Sequence, residues 1–395
     1  MERPYARVTV TEKGERSLRG GHPWVFDNVI ERETDCADGD VVDVYSRKDR
    51  FLGLGFYNSR SRIRVRLLSR NANDRVDGEF FRRKVGWCVD YRRTVMGEDF
   101  DNCRLVFGEA DGFPGLTVDR FGEVLVAEVL SLGMERWKDC VYDELLRLTG
   151  CTAVYERCDN PIRDKEGLPR HSGFARGGLP GVVRIRENGL FFDVNYVEGQ
   201  KTGYFLDQKY NRAAAARLAG GRRVLDCFTH TGAFAIHCAA AGAEKVTAVD
   251  VSALALQSAR HNAELNGLGN VEFVQRDVFE LLTELLAAKN HDYDYIILDP
   301  PAFTKSSATV ESAYRGYKDI NYRAMRLLPR GGYLATCSCS RFMTAELFRK
   351  MLREAAADAG VSLRQIEERR QSPDHPILWG VPETEYLKFY LFQVV

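Results

Sequence analysis

The stretch Tyr293-Asp294-Tyr295-Ile296-Ile297-Leu298-Asp299-Pro300-Pro301-Ala302-Phe303 decides the fold. Its apolar run is short and unbroken, as a strand buried on both faces reads, and it closes on an acid followed by two prolines that stiffen the turn. The same pattern recurs in Gly331-Gly332-Tyr333-Leu334-Ala335-Thr336-Cys337-Ser338-Cys339-Ser340. Strands covered on both faces belong to open parallel sheets, whose ligands sit beyond the carboxyl ends of the strands. The acid of one turn and the thiol of the other are therefore expected to face one substrate.

Outward from these turns, strand and helix patterns alternate from about residue 190 onward. Arg223-Val224-Leu225, Lys245–Val249 and Val271–Val274 read as strands, and 233–241 and 253–266 as the helices between them. Such alternation predicts βαβ units in a doubly wound sheet. The first βα turn, Asp226-Cys227-Phe228-Thr229-His230-Thr231-Gly232, lacks the G-x-G-x-x-G that lets a pyrophosphate approach a helix N-terminus, which disfavours a dinucleotide. An acid and a glycine turn remain, suited to the ammonium of an amino-acid moiety. Asp250 closes the next strand near the offset at which acids bind ribose hydroxyls, and Asp277 follows the third, where an adenine amino group can be read. Three acids at successive strand ends fit S-adenosylmethionine, which carries ribose and adenine but no phosphate. Phe228, Gly232, Val251, Ser252 and Val278 flank these acids and, with Asp299, join the expected cofactor set. The competing reading is that each acid merely caps a helix. His230 and His237 read as bystanders, with no carboxylate or nucleophile paired to them.

The amino-terminal part reads differently. Arg7–Val10, Asp40–Tyr45, Phe51–Tyr57 and Arg62–Leu67 are short strands of a small barrel or sandwich. The pleat puts Arg60, Arg62, Arg64 and Arg66 on one face, a positive stripe suited to RNA phosphates, although any half-buried strand needs a soluble face. After a linker at 71–77 come a helix near 79–95, a hairpin through 115–126, a helix near 135–149 and a strand at 151–156, a small α+β unit. The Gly-, Arg- and Pro-rich stretch 163–181 reads as a mobile connection. The expected domains are 1–72, 73–185 and 186–395.

Composition narrows the class. The chain has 395 residues, 45% of them hydrophobic and 28% charged, which suits a globular protein of two or three domains. No apolar stretch approaches membrane-spanning length and the first residues lack a signal-peptide core, so a cytoplasmic protein is expected. Ten cysteines include no C-x-x-C pair, which argues against a zinc ribbon or an iron–sulfur cluster and leaves no metal expected. The formal net charge of zero means that any nucleic-acid affinity must be local.

Several motifs together resemble a known family, the class I S-adenosylmethionine-dependent methyltransferases that form 5-methylcytosine in large-subunit ribosomal RNA, often called RlmI-like. The resemblance runs nearly end to end. It rests on Gly21-His22-Pro23-Trp24-Val25-Phe26, in a segment like the PUA RNA-binding module, and on Leu105-Val106-Phe107-Gly108-Glu109-Ala110-Asp111-Gly112-Phe113-Pro114-Gly115-Leu116. Further matches are Glu198-Gly199-Gln200-Lys201-Thr202-Gly203-Tyr204-Phe205-Leu206-Asp207-Gln208, Asp374-His375-Pro376 and Glu385-Tyr386-Leu387-Lys388. The resemblance implies a Rossmann-like catalytic domain with a PUA-like β-barrel before it. It also implies that Lys201, Thr202, Gly203 and Tyr204 lie along the cofactor, with ribosomal RNA of the large subunit as partner; a homodimer stays open.

Similarity to the family places a nucleophilic thiolate on Cys339. Thiolate addition to carbon 6 of cytosine would make carbon 5 nucleophilic toward a methyl donor. Asp299, beside Pro300, is the expected proton donor to ring nitrogen 3, and Phe303 is expected to stack on the base. This chain lacks the second cysteine that better-known RNA cytosine methyltransferases carry after the proline, having Ala302 and Phe303 instead. Cys337 reads as a core residue, and the base that removes the carbon-5 proton is unassigned, with Lys305 a conjecture. Two other readings stand beside this one: methylation of an exocyclic nitrogen through the Asp-Pro-Pro-x-Phe turn, and a non-catalytic RNA-binding assembly factor.

Overall fold

The computed structural model describes residues 3–395, which divide into two compact units. Of the described residues, the first comprises 3–185, Val194–Leu206 and Pro373–Thr384; the second comprises Arg186–Asp193, Asp207–Ser372 and Glu385–Val395.

In the first unit, β1 (Ala6–Val10), β2 (Trp24–Phe26), β3 (Ile30–Glu33), β4 (Val41–Ser46), β5 (Phe51–Tyr57) and β6 (Ile63–Ser69) form a six-stranded sheet with α1 (Glu12–Arg19) inserted after β1. Its strand order is β2-β6-β5-β4-β1-β3, and alternate residues such as Val8, Val10, Val42, Val44, Val65 and Leu67 close its core. A second sheet follows α2 (Gly78–Met96). It contains β7 (Asn102–Phe107), β8 (Leu116–Phe121) and β9 (Val124–Val129), then α3 (Leu132–Thr149), β10 (Ala153–Cys158), α4 (Ile162–Glu166) and β11 (His171–Arg176), in the order β11-β10-β9-β8-β7.

The stretch 163–181, expected as a mobile connection, is corrected here: it holds the end of α4 and the whole of β11, which pairs antiparallel with β10. An edge strand reading His-Ser-Gly-Phe-Ala-Arg buries little and so lacks the apolar alternation by which strands are read. A two-stranded sheet of β12 (Val182–Glu187) and β13 (Leu190–Asn195) comes next.

The second unit is built on seven strands. They are β14 (Arg223–Cys227), β15 (Lys245–Asp250), β16 (Val271–Gln275), β17 (Tyr295–Leu298), β18 (Tyr333–Ser338), β19 (Leu363–Arg369) and β20 (Lys388–Val394). Its helices are α5 (Lys209–Ala216), α6 (Ala233–Ala240), α7 (Ala253–Leu265), α8 (Val278–Ala287), α9 (Val310–Leu327) and α10 (Ala345–Ala359). The order β16-β15-β14-β17-β18-β20-β19 is parallel except at β20, which runs antiparallel to both neighbours. Successive side chains go to opposite faces: Leu225, Ile296, Leu298 and Leu334 join α8, α9 and α10 in one core, while Val224, Tyr295, Ile297 and Ala335 join α5 and α6 in the other. The strand order reverses between β14 and β17, and the crevice above that point is where a doubly wound sheet binds its ligand.

Candidate active site

Three strand ends converge at that reversal. Cys227 of β14 is paired with Leu298 of β17, and Leu298 with Thr336 of β18. Asp226, Asp299 and Cys339 therefore emerge at the carboxyl edges of three adjacent parallel strands. The Cys339 thiol is half-buried and lies 3.9 Å from the Pro300 carbonyl oxygen, against the turn that carries Asp299.

Asp299 is held from one side. Gln208 Nε2 donates to its Oδ1 at 3.0 Å, and Asn211 Nδ2 donates to Gln208 Oε1 at 2.6 Å, which fixes which way the Gln208 amide faces. Burial, reinforced by the charge of Asp207, pushes the Asp299 carboxyl up to about 6. Gln208 ends the 198–208 motif, but nothing in its spacing ties it to Asp299; the only sequence signal is that Asp207 and Gln208 adjoin the first helix of the second unit.

Phe303 is half-buried among Tyr317, Phe279 and Phe228, with ring centroids 4.5, 5.8 and 6.4 Å away. Its ring is thus part of a packed aromatic wall. Cys337 is fully buried, its thiol pushed far above the usual range chiefly by desolvation and then by Asp299, so it is inert as a nucleophile. Lys305 is exposed.

The first βα turn is strained. Phe228 and His230 have φ of +64° and +52°, uncommon for residues with a Cβ and a feature that clusters at ligand sites. Gly232, at φ +80°, has no alternative, since a Cβ there would meet that of Ala259 at 2.9 Å. Asp226 is fully buried; its Oδ2 accepts from Thr229 Oγ1 at 2.5 Å and from the Ala235 amide at 3.0 Å. Its Oδ1 is buried with no hydrogen-bond partner among the described residues. Desolvation, and then the charges of Asp299 and Asp250, push Asp226 up to about 7 despite those two hydrogen bonds. An orphaned carboxylate oxygen amid three mutually repelling acids fits a ligand that brings an ammonium or a sulfonium, which S-adenosylmethionine does.

Asp250 accepts from the His230 amide and the Ser252 amide, both at 2.9 Å, and each oxygen keeps a lone pair for a ribose hydroxyl. Asp277 caps α8 through the amides of Phe279 and Glu280, so the capping reading holds there whatever else it does, whereas α6 and α7 take Gly232 and Ser252 as their caps rather than Asp226 and Asp250. Val251 is exposed, whereas the Val278 side chain is buried in the core. His237 is corrected: it does face a carboxylate, Glu187 at 3.7 Å, but it is buried, bonded to Ala233 and Asn188, and pushed down by desolvation, a structural histidine.

Lys201, Thr202, Gly203 and Tyr204 belong to the first unit. There Thr202 Oγ1 donates to Asp119 at 2.5 Å, and Arg104 grips the same carboxylate at 2.7 and 2.8 Å. Gly203, at φ +112°, has no room for a Cβ beside the Asn195 carbonyl. Asp374 accepts from the Arg104 amide at 2.8 Å, so the Asp-His-Pro motif braces the same network.

Of the arginine stripe, Arg60 and Arg62 are exposed. Arg66 instead turns inward, reaching Glu166 at 3.0 Å and Glu109 at 3.3 Å, while Trp24 Nε1 donates to Glu109 at 2.8 Å. Arg64 is half-buried near Glu33 at 3.8 Å. A uniform phosphate-tracking stripe is thus reduced to its exposed end, where Arg60 also lies 3.9 Å from Asp38, because acids meet Arg64 and Arg66 more closely. One metal-like group occurs among the described residues, Glu156, Cys158 and His171, with ligand atoms within 4.8 Å of one another. Lys138 already neutralises Glu156 at 2.9 Å, which opposes a cation there.

Comparison with known proteins agrees with this architecture. Residues 176–393 match the profile of the S-adenosylmethionine-dependent methyltransferases, and residues 8–70 match a PUA-like domain. Ribosomal RNA large subunit methyltransferase I of Shewanella denitrificans is 42% identical over 389 residues, covering 97% of this chain and 98% of that one. The protein of the same name from Klebsiella pneumoniae (strain 342) is 39% identical and covers 99% of each chain. In fold, the chain is similar to a solved structure from Streptococcus mutans described as an S-adenosylmethionine-dependent methyltransferase, with a TM-score of 0.84, 23% identity, and coverage of 98% and 100%. The chain therefore belongs to the S-adenosylmethionine-dependent methyltransferase family and uses that cofactor, alongside curated relatives named ribosomal RNA large subunit methyltransferase I.

Proposed function

We propose that this protein methylates carbon 5 of a cytosine in large-subunit ribosomal RNA, in the cytoplasm, through a transient bond between Cys339 and the pyrimidine. The observation that carries the reading is the Cys339 thiol resting against the Asp299-Pro300 turn at the carboxyl edge of the sheet. The names of the full-length relatives support the substrate class. The division of labour follows the domains 1–72, 73–185 and 186–395, the first orienting RNA and the last carrying the chemistry.

S-adenosylmethionine, when bound, supplies an electrophilic methyl group. Asp226 would meet its ammonium and Asp250 its ribose, with Asp277 near the adenine. The Cys339 sulfur forms a bond to carbon 6, and the electron pair displaced from the 5,6 double bond is drawn toward nitrogen 3, where Asp299 donates its proton. A carboxyl already raised to about 6 is a ready donor once the base excludes water. Carbon 5 would then take the methyl group, with S-adenosylhomocysteine as the leaving group, and nitrogen 3 would return its proton to Asp299; loss of the carbon-5 proton to water re-forms the 5,6 double bond as the sulfur leaves as thiolate.

The test pairs Cys339→Ser with mass-spectrometric mapping of ribosomal RNA. Loss of turnover with cofactor binding retained, and loss of one 5-methylcytosine in cells lacking the protein, are expected. Unchanged turnover would instead favour transfer to an exocyclic nitrogen held by Asp299. Absence of any calorimetric heat with S-adenosylmethionine would favour a non-catalytic assembly factor.

A further inference from the structure

One buried cation has no role in that chemistry. Lys388, from the Glu385-Tyr386-Leu387-Lys388 motif, opens β20 as the cross-strand partner of Ser338 and is 2% exposed. Its ammonium donates to the Ser340 carbonyl at 2.6 Å and to the Tyr386 carbonyl at 2.8 Å. It forms no ion pair among the described residues, and Glu385, the acid nearest in sequence, is taken by Arg370 at 2.8 Å. A buried ammonium bonded only to neutral carbonyls is costly, and such a charge is retained where a counter-charge completes it. Ser338 and Ser340, which the lysine contacts by pairing and by hydrogen bond, bracket Cys339.

We propose that Lys388 is a positioning residue: it clamps the segment bearing Cys339 and lends its charge to the thiolate that attacks the base. The inference rests on the covalent reading above and supplies what that reading lacks, since a free thiol with a pKa of about 8.5 is only a few per cent ionised at neutrality. The titratable groups facing the pair are Tyr317 of α9, Asp299 beyond β17 and Cys337 of β18 around the thiol, with Arg370 and Glu385 around the lysine. Burial lowers Lys388 to about 8, while Cys339 acts in the opposite direction, so the ammonium form persists at neutral pH and is favoured further when the thiol ionises. Burial pushes the Tyr317 hydroxyl far above its ordinary range and keeps it neutral, so it lends no positive charge to the thiol.

The test is the pH dependence of iodoacetamide alkylation of Cys339 in the full chain, read on its own peptide by mass spectrometry, with methyl transfer measured alongside. In Lys388→Met the alkylation midpoint should rise by about one pH unit and the rate at pH 7 fall about tenfold, with Lys388→Arg restoring the wild-type profile. A Lys388→Met profile equal to wild type overturns the proposal, as does an arginine variant as impaired as the methionine one, which would mark a packing role. If the methionine variant does not fold, Lys388→Gln carries the same two outcomes. A wild-type midpoint at or above about 8.5 also overturns it without any variant. Failure of the covalent reading is separate: full turnover by Cys339→Ser would end that reading whatever the alkylation profile shows.

Discussion

Asp226 does two things at once. It ties the first βα turn to α6, and its other oxygen is buried without a hydrogen-bond partner among the described residues, the oxygen that the proposed function gives to the cofactor's ammonium. Its carboxyl titrates near 7 because burial and two neighbouring acids disfavour its charge, and a cationic ligand favours the ionised form. Cofactor affinity should therefore fall as pH drops through 7, by about tenfold from pH 8 to pH 6, and calorimetry at the two pH values reads it directly. Asp226→Asn should bind more weakly and flatten that dependence; a wild-type slope persisting in the variant would place the titrating group elsewhere. Asp299 is pushed up less, to about 6, and in the proposed function it is the proton donor to the base. Asp299→Ala should lower turnover by a factor of about 10² or more while cofactor affinity changes little, since general acid catalysis contributes about 10²–10⁴.

Among the elements, the contact between β6 and α4 is the one a substitution reports most clearly. Glu166 of α4 is buried and accepts from Ser61 at 2.6 Å, Asn58 at 3.0 Å and Arg66 at 3.0 Å. Glu166→Ala leaves a mostly buried guanidinium without this partner, and the first unit should lose about 3 kcal/mol in urea unfolding. A loss under about 0.5 kcal/mol would mean that Glu109 alone satisfies Arg66. The parallel sheet and the acids at its strand ends were legible in the sequence because unbroken apolar runs and turn chemistry are local signals. The inward use of Arg66 was not, because its partners Glu109 and Glu166 lie 43 and 100 positions away. For the same reason the hydrogen bond from Gln208 to Asp299, across 91 positions, had no local signature. The edge strand β11 was missed because it buries too little to leave one.

For the molecule as a whole, zero net charge makes RNA binding depend on where cations are exposed. In the first unit Arg60 and Arg62 qualify and Arg66 does not. Replacing Arg60 and Arg62 by Ser should weaken RNA binding and reduce the slope of log K against log salt by about 1 to 2, whereas cofactor affinity should hold. An unchanged slope would make these arginines solvated surface. The central claim, a thiol that bonds transiently to a pyrimidine, has a more direct test. Large-subunit ribosomal RNA transcribed with 5-fluorocytidine blocks the last step, because fluorine cannot leave carbon 5 as a proton does. Incubated with this RNA and S-adenosylmethionine, the protein should form a denaturant-resistant adduct that maps to Cys339 and is absent in Cys339→Ser. Normal methylation of unsubstituted RNA with no adduct on the fluorinated RNA would contradict the account.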